Sequence, residues 1–491
     1  MRTAVFIITL ALAALLAGCS VGPDYHRPAV LTAQPVPKQF SDRDSSATNH
    51  GIWKIAEPSA NIPRGDWWQM FDDQVLGQLE SLALTNNQNL AAAAARIAQS
   101  RALVSVARAD FYPQLTAGGT PGGDLTRQRT SVNEPVQGLP SGAAHTYDTF
   151  TAPIYLGWEI DLWGRVRRQS EAARERYAAS ADDYESARLD LTAEVASDYF
   201  NVRTLDEKFA VVTNTITTFQ RSLELTQNRR RGGVVSDLDV AQAATQLHGA
   251  EAELPAIELQ RAQMLHALAV LCGRSPVDFT IPAYTNTNSL IAVPFVPASV
   301  PSELLEHRPD VAEAERLMSA ANADVGVAKA AFFPTVRING LAGFQSVDAA
   351  TWFDWPSRLW SVGPSVELPL FTGGRNRANL AARHAAYDVT VASYRQTVLS
   401  AFGEVEDQLA AQRLLAEEWD SQNAALDSSR HALEIATNRY KSGLVTYLDV
   451  ATAQTDTLTH ESSVVDLEGS RLVAAINLIK ALGCGWQQTI K

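Results

Sequence analysis

Residues 228–241 read NRRRGGVVSDLDVA, and residues 438–451 read NRYKSGLVTYLDVA. The two stretches share an Asn-Arg start, a central glycine and the run Leu-Asp-Val-Ala, at a constant spacing of 210 residues. A central glycine suits a left-handed turn at a helix C-terminus, and Ser236 or Thr446 suits the N-cap of the next helix. Each stretch therefore predicts a tight turn between two helices.

The similarity between the two parts of the chain extends far beyond these turns. Residues 164–273 match residues 374–483 without a gap, and Phe111–Pro113 matches Phe332–Pro334 at a spacing of 221. Matches at glycine, tyrosine and aspartate positions argue against chance similarity between alanine-rich helices. One structural unit is therefore predicted twice.

Each copy contains a long helical arm. No proline occurs in residues 165–231 or 375–441, and an unbroken helix of that size would extend about 100 Å. Positions with a three- and four-residue spacing form a stripe along the second arm: Leu426, Ser429, Leu433, Ala436 and Tyr440. Such a stripe predicts that the arm pairs with the helix after the turn as a coiled-coil hairpin.

Before each arm the pattern changes to a period of two. Ile154, Leu156, Trp158 and Ile160 alternate with Tyr155, Gly157, Glu159 and Asp161, and residues 360–369 alternate in the same way. We predict four strands per chain, with Trp158 and Val366 on the apolar face and Gly157 and Ser365 on the other. A half-buried soluble sheet and a lipid-facing barrel wall would both show this pattern. Because four strands cannot close a useful barrel, the second interpretation requires several chains.

The first eighteen residues predict export. Arg2 precedes an apolar stretch from Ala4 to Leu16 that is too short to span a membrane stably. Leu16-Ala17-Gly18-Cys19 looks like a bacterial lipobox, which implies a diacylglycerol and an N-acyl lipid on Cys19. Ser20 is not the aspartate associated with retention in the inner membrane, so an outer-membrane lipoprotein is predicted. The alternative is an ordinary signal peptide with an incidental cysteine.

Composition excludes several classes of protein. The chain has 491 residues, 46% of them apolar, and a formal charge of −13 without a dominant basic patch, so nucleic-acid binding is disfavoured. No phosphate-loop, zinc-protease or serine-hydrolase string is present. We therefore predict neither an enzyme nor a metal protein. Cys272 and Cys484 are predicted to be free buried thiols, although a bridge between them remains an alternative.

Lipobox, duplicated unit, strand pairs and paired Leu-Asp-Val turns together resemble the TolC-like outer-membrane efflux factors, most of all their lipoprotein, NodT/OprM-like branch. Gly22–Tyr25 and Trp67-Trp68 resemble the N-terminal signature of that branch. The resemblance implies an α+β membrane protein. Three chains would form a twelve-stranded outer-membrane β-barrel, four strands per chain, continuous with a long α-helical coiled-coil tunnel in the periplasm.

The resemblance and the repeat divide the chain into successive segments. A signal peptide (1–18) is followed by an N-terminal anchor and equatorial segment (19–85). The first repeat (86–273) contains a strand pair at about 114–162, a long helical hairpin and its tip at about 229–240, and an equatorial linker (274–305) follows it. The second repeat (306–484) contains a strand pair at about 335–370, a long helical hairpin and its tip at about 439–450, and the chain ends in a C-terminal tail (485–491).

The resemblance implies a passive exit duct for drugs or other small molecules. Its partners would be two further copies of the chain, outer-membrane lipid, a periplasmic adaptor protein and an inner-membrane pump of the resistance-nodulation-division type. A periplasmic gate and an adaptor-docking surface are expected at the tips, on Asp449, Asp239, Tyr440, Gly233, Gly443 and Arg230. A ring of three Asp449 carboxylates would favour cations.

The aspartates also have a simpler interpretation, as stabilisers of the helix N-termini on which they lie. Val445 stands where some relatives carry an arginine that locks the tip. The run Arg229–Arg231 is the alternative source of a cation.

Three other functions remain compatible with parts of the sequence. A duct for type I protein secretion would have the same architecture. A lipid-anchored coiled-coil scaffold would use the helices but leave the strand pairs without a purpose. A lipid-tethered periplasmic enzyme is disfavoured by the missing catalytic motifs.

Overall fold

The structure is a computed structural model that describes residues 21–29, 65–118, 126–132, 145–282 and 308–483. Cys19, Cys484, most of the predicted linker 274–305 and the tail 485–491 lie outside these residues. The described chain falls into two compact units. One contains the strands and the adjoining helix segments, and the other contains the two turns and the helices that join at them.

Seven α-helices lie in the described residues. They are α1 (Gln74–Asn86), α2 (Gln88–Ala109), α3 (Arg165–Arg231), α4 (Asp237–Leu271), α5 (Pro309–Ala330), α6 (Arg375–Lys441) and α7 (Tyr447–Ala481). A short 3-10 helix, Trp67–Phe71, precedes α1.

The bounds of these helices repeat with the sequence. Both long arms, α3 and α6, have 67 residues, and both return helices, α4 and α7, have 35. Every bound in the second set is 210 higher than in the first, and α2 and α5 have 22 residues each at a spacing of 221. We name α3 with α4 hairpin 1, and α6 with α7 hairpin 2.

Apolar stripes hold the helices of each hairpin together. In hairpin 1, Val212, Ile216 and Phe219 on α3 pack in one buried cluster with Leu247 and Ile257 on α4. In hairpin 2, the predicted positions Leu426, Ser429 and Tyr440 are buried. The three- and four-residue spacing therefore identified the packed faces.

The strands form one antiparallel sheet with four strand positions. Its segments are β1 (Gln114–Ala117), β2 (Thr126–Val132), β3 (His145–Ile160), β4 (Thr335–Ser346) and β5 (Arg358–Glu367). Both β1 and β2 pair with β3, on successive parts of it, β4 pairs with the other side of β3, and β5 pairs with β4. The first of the four predicted strands is therefore divided into two segments.

The register gives the sheet two chemically different faces. Directly opposed residues in an antiparallel sheet share a face, so Trp158, Ile338 and Pro364 lie on one face and Glu159, Arg337 and Ser365 on the other. The first face is apolar from Phe150 to Ile160 on β3, from Val336 to Phe344 on β4 and from Trp360 to Val366 on β5, and Val366 on it is exposed. On the second face the Arg337 guanidinium lies 3.5 Å from the Glu159 carboxylate, and Asn339 donates to Ser365 at 2.7 Å. The predicted alternation therefore holds along these parts of β3, β4 and β5, and it ends where Asp148, Ser346 and Arg358 occupy the same face.

Helix α1 buries a carboxyl group without a hydrogen-bond partner. Glu80 is fully buried, and among the described residues neither of its carboxylate oxygens accepts a hydrogen bond. Burial, together with the charge of Asp66, raises the pKa of Glu80 to about 9. The group is therefore neutral at pH 7 in the folded chain.

We predict that Glu80 makes the folded chain less stable as the pH rises. The pKa of Glu80 is higher in the folded chain than in the unfolded chain. Its contribution to the free energy of unfolding is therefore complete below about pH 4.5, and it falls between there and pH 9 by up to about 1.4 kcal/mol per pH unit. Glu80→Gln should remove this dependence and therefore unfold at a higher temperature than the parent at pH 8 but not at pH 5. Thermal unfolding in detergent measures this, with the exposed Glu258→Gln as control. An unchanged pH dependence in Glu80→Gln would contradict the prediction.

Candidate functional site

The turn of hairpin 1 is built around a left-handed glycine. Gly233 has a φ of +73°, its N–H donates to the Arg230 carbonyl at 3.0 Å, and the Val234 N–H donates to the Arg229 carbonyl at 2.9 Å. These two bonds satisfy carbonyl groups at the end of α3 that the helix leaves without partners.

The turn of hairpin 2 has the same geometry. Gly443 has a φ of +74°, its N–H donates to the Tyr440 carbonyl at 2.9 Å, and the Leu444 N–H donates to the Arg439 carbonyl at 3.0 Å. A Cβ atom on Gly233 or Gly443 would meet nothing within 4 Å. The backbone conformation, and not crowding, therefore requires glycine at both turns.

Asp239 and Asp449 begin the two return helices as members of capping boxes. The Asp239 carboxylate accepts from the Ser236 N–H at 2.9 Å, and the Asp449 carboxylate accepts from the Thr446 N–H at 3.1 Å. The Ser236 hydroxyl, followed by the backbone N–H groups of Ser236 and Tyr447, lowers the pKa of Asp239. This is the simpler of the two interpretations that the sequence allowed.

Tyr440 lies at the centre of a buried cluster where hairpins 1 and 2 meet. It packs with Tyr447, Ala243, Val450 and Ala451, and Val445 lies beside them. Tyr440 and Tyr447 are 3% and 1% exposed, and their rings meet edge to face.

Hairpin 1 supplies a cation to this cluster. The Arg229 guanidinium lies 4.6 Å from the centre of the Tyr440 ring and donates to the Tyr440 carbonyl at 2.7 Å. The Tyr440 hydroxyl donates to the Thr226 hydroxyl at 3.5 Å. The run Arg229–Arg231 therefore does supply the cation, through its first member and not through Arg230.

Further polar bonds join the two hairpins beside the cluster. The Tyr447 N–H donates to Asp239 at 3.4 Å, and Gln454 donates to the Ser222 hydroxyl at 3.0 Å. We name this set of contacts between hairpins 1 and 2 the intrachain seam. It includes the Arg229 and Tyr440 contacts, and all its members belong to one compact unit.

Arg230 has a different partner. Its guanidinium forms two hydrogen bonds to the Asp237 carboxylate, at 2.7 and 2.9 Å, across the turn of hairpin 1. Both side chains are exposed, and the guanidinium lowers the pKa of Asp237. Asp449 is also exposed.

The structure thus brings Tyr440 and Asp239 into one contact region and leaves Arg230 and Asp449 outside it. The sequence offered Arg229 only as one of three consecutive arginines, and it did not single out Tyr447. Comparison of the two repeats could have indicated this contact region, because Tyr440 is matched by Arg230 and Tyr447 by Asp237. A buried tyrosine in one copy and a charged residue in the other mark positions with different surroundings.

Each turn also exposes two large apolar side chains. Val234 and Leu238 on hairpin 1 are 64% and 66% exposed, and their repeat equivalents Leu444 and Leu448 are 70% and 56% exposed. Contiguous exposed apolar patches often mark surfaces that bind another protein, and the repeat places these side chains at the same two positions of both turns.

The part of the chain that the structure describes contains no group of three or more histidine, cysteine, aspartate or glutamate side chains arranged to bind a metal ion. Among the helices of the described residues, none is both long and apolar enough to cross a membrane.

Comparison with known proteins gives concordant matches. Residues 79–274 and 300–484 match the family model described as outer membrane efflux protein. The chain is 35% identical to outer membrane protein OprJ of Pseudomonas aeruginosa over 99% of this chain and 98% of that protein. It is 33% identical to the probable efflux pump outer membrane protein TtgC of Pseudomonas putida, over 98% and 96%. The solved structure of the outer-membrane channel OprN aligns with a TM-score of 0.83 at 28% identity, over 95% of this chain and 100% of that one.

Proposed function

The chain belongs to the outer membrane efflux protein family and is the outer-membrane channel component of a tripartite efflux system, and we propose that three copies close their sheets into one twelve-stranded barrel. The family is one of channels and not of enzymes. In this proposal the helical hairpins of the three copies together enclose the periplasmic tunnel.

The two unpaired edges of the sheet, together with its apolar face, carry the proposal. Within the described residues, β5 pairs only with β4, and β1 and β2 pair only with β3, so the sheet has two edges. Edge N–H and C=O groups have no water to bind in a lipid core, and each would cost several kcal/mol there. Pairing the β5 edge of one copy with the first strand of the next satisfies these groups.

Aromatic side chains at both ends of the sheet support a membrane location. Phe150 and Phe344 contact Trp352 and Phe353 near one end, while Trp163 stacks on Phe333 near the other. Trp158 lies eight residues from Phe150 on β3, which corresponds to roughly 26 Å. Because the strands of an outer-membrane barrel tilt by about 35–45°, this length corresponds to roughly 20 Å along the membrane normal, within an apolar band that is about 25 Å tall and has an aromatic girdle at each interface.

The N-terminal segment supports lipidation of Cys19. The Val21 N–H donates to the Trp163 carbonyl at 2.9 Å, and Asp24 forms an ion pair with Arg168 at 2.6 Å. Cys19 is two residues before Val21, a reach of at most about 7 Å. A lipid on Cys19 would therefore enter the membrane beside the aromatic group of Trp163 and Phe333.

Cys19→Ala should abolish incorporation of radioactive palmitate into the protein, because no other residue carries the acylation signal. The measurement is metabolic labelling followed by immunoprecipitation, with Cys272→Ala as the control that keeps its label. Undiminished labelling of Cys19→Ala would contradict the lipoprotein assignment.

We assign the periplasmic gate and the adaptor-docking surface to the two turns. Exposed Val234, Leu238, Leu444 and Leu448 supply an apolar contact surface, which favours a partner with a matching apolar tip. Asp449, on the exposed side of α7, supplies negative charge that favours cations in the closed passage. The partners are a periplasmic adaptor and an inner-membrane pump of the resistance-nodulation-division type, with drugs or other small molecules as cargo.

Planar-bilayer recording of the purified protein, together with sedimentation in detergent, tests the proposal. We expect a trimer that conducts ions, and we expect a deletion strain to become sensitive to drugs. A monomer without conductance would leave the lipid-anchored scaffold as the better interpretation. Loss of protein secretion without drug sensitivity would instead favour the type I secretion duct.

A further inference from the structure

The apolar face of the sheet ends in positions that combine cations with aromatic rings. Arg358 begins β5 opposite Phe344 of β4, and Arg127 of β2 is opposite Phe150 of β3. Phe150 and Phe344 lie on the apolar face, and directly opposed residues share a face. Both arginine positions therefore belong to the apolar face, at the end of the sheet away from the strand ends that lead into α3 and α6.

The opposed strand positions do not balance the charge of these two arginines. Arg129 is opposite Asp148, so a carboxylate accompanies that cation. Arg127 and Arg358 each have a phenylalanine opposite them instead. Within the part of the chain that the structure describes, Arg358 forms no ion pair, even with Asp354 four residues before it. The end of the apolar face therefore suits an anionic ligand.

The Arg358 side chain is held on an aromatic ring. Its guanidinium lies 4.4 Å from the centre of the Trp355 ring, and one of its N–H groups donates to the Trp355 carbonyl at 2.9 Å. Arginine has five N–H donors, so most of them stay available to a ligand. Arg358 is exposed, and Trp355 and the nearby Phe353 are 71% and 60% exposed. The stacked ring fixes the plane of an exposed cation.

In the proposed barrel, this end of the apolar face lies at the outer surface of the membrane. The apolar face contacts hydrocarbon, and the helices that follow the other end of the sheet lie in the periplasm. Arg358 and Trp355 are therefore at the level of the outer-leaflet headgroups, where aromatic side chains anchor a protein and cations attract anionic lipid. The lipid of that leaflet is lipopolysaccharide, whose lipid A part carries phosphate groups on sugar rings.

We infer that Arg358, stacked on Trp355, binds a phosphate group of lipid A in the outer leaflet, with one site per copy. The inference rests on the proposed barrel. A planar guanidinium donates two parallel hydrogen bonds to a phosphate group, and Trp355 holds that plane in place. Exposed Phe353 and Trp355 offer apolar rings to the sugar and the acyl chains. Where β5 of one copy pairs with the first strand of the next, Arg127 of the next copy supplies a second cation on the same face.

Native mass spectrometry of delipidated trimers in detergent measures this binding. Lipid A with both of its phosphate groups should bind the parent, and Arg358→Ala should raise the apparent Kd at least fivefold. The matched control is Arg377→Ala, which removes an exposed arginine from α6 and should change the Kd less than twofold. Equal Kd values for Arg358→Ala and the parent would overturn the inference.

The choice of lipid identifies the group that is bound. Lipid A without its phosphate groups should bind the parent at least fivefold more weakly, and it should bind Arg358→Ala as well as it binds the parent. Phosphatidylglycerol carries a phosphate group without a sugar, and it should also bind the parent at least fivefold more weakly than lipid A. Equally tight binding of phosphatidylglycerol would overturn the assignment to lipopolysaccharide.

The outcomes separate the lipid site from the proposed channel. Arg358 lies on the face away from the channel, so trimers of Arg358→Ala should conduct within twofold of the parent in planar bilayers. A parent that forms conducting trimers but binds lipid A equally with and without phosphate groups would overturn the inference and leave the proposed function intact. A parent that forms neither trimers nor conducting pores would contradict the proposed function itself.

Discussion

Val362→Arg should reduce the amount of trimer in the outer membrane at least tenfold. Val362 lies in the middle of β5, is 65% exposed in the single chain, and shares the apolar face with Trp360 and Val366. An arginine facing lipid near the bilayer midplane costs about 2–4 kcal/mol in an outer-membrane barrel. Three copies per barrel would each bear this cost, so insertion should fail before the helices are affected.

The matched control is one residue away. Ser361 lies on the opposite, polar face of the same strand, where an arginine would meet water in the proposed channel, so Ser361→Arg should change the trimer yield less than twofold. Membrane fractionation with immunoblotting of unheated samples measures both variants. Equal losses would favour a soluble sheet, because both faces would then be covered by protein.

At the proposed gate, Tyr440→Ala should loosen the contact between the two turns and raise the resting conductance several-fold. The ring is 3% exposed, bears the Arg229 guanidinium on one face and packs edge to face on Tyr447. Truncating a buried aromatic side chain typically costs about 3–5 kcal/mol. Hydrogen exchange should accelerate in both turns, because Tyr440 belongs to hairpin 2 and its partners Arg229 and Thr226 belong to hairpin 1.

Two variants delimit this effect. Tyr440→Phe keeps the ring and loses only the 3.5 Å hydroxyl bond to Thr226, so it should stay close to the parent. Arg230→Ala changes the repeat-equivalent position but removes only an exposed ion pair, so the buried cluster should keep its slow exchange. Fast exchange in Arg230→Ala, equal to that in Tyr440→Ala, would show that the cluster is not what holds the tip together.

The sequence alone determined the local structure of the repeated unit. Apolar residues spaced three and four apart lie on one face only in a helix. The extents of α3 and α6 therefore follow from the bounds of this proline-free pattern. Gly233 and Gly443 ended the arms because a left-handed residue is required there, and Ser236 and Thr446 started the return helices. The sequence also showed which strand residues share a face, because successive side chains in a strand point to opposite faces.

Contacts between distant parts of the chain required the tertiary structure. The sequence offered three consecutive arginines, and only the packing of hairpin 1 on hairpin 2 selected Arg229 to cover Tyr440 and left Arg230 to Asp237. Neighbouring helical residues point about 100° apart, so which of them faces a partner depends on the rotation of the helix against that partner. The burial of Glu80 is of the same kind. Its helix also carries Gln78 and Ser81, so the sequence does not single out Glu80, and only the residues packed around it remove the water that would have kept it charged.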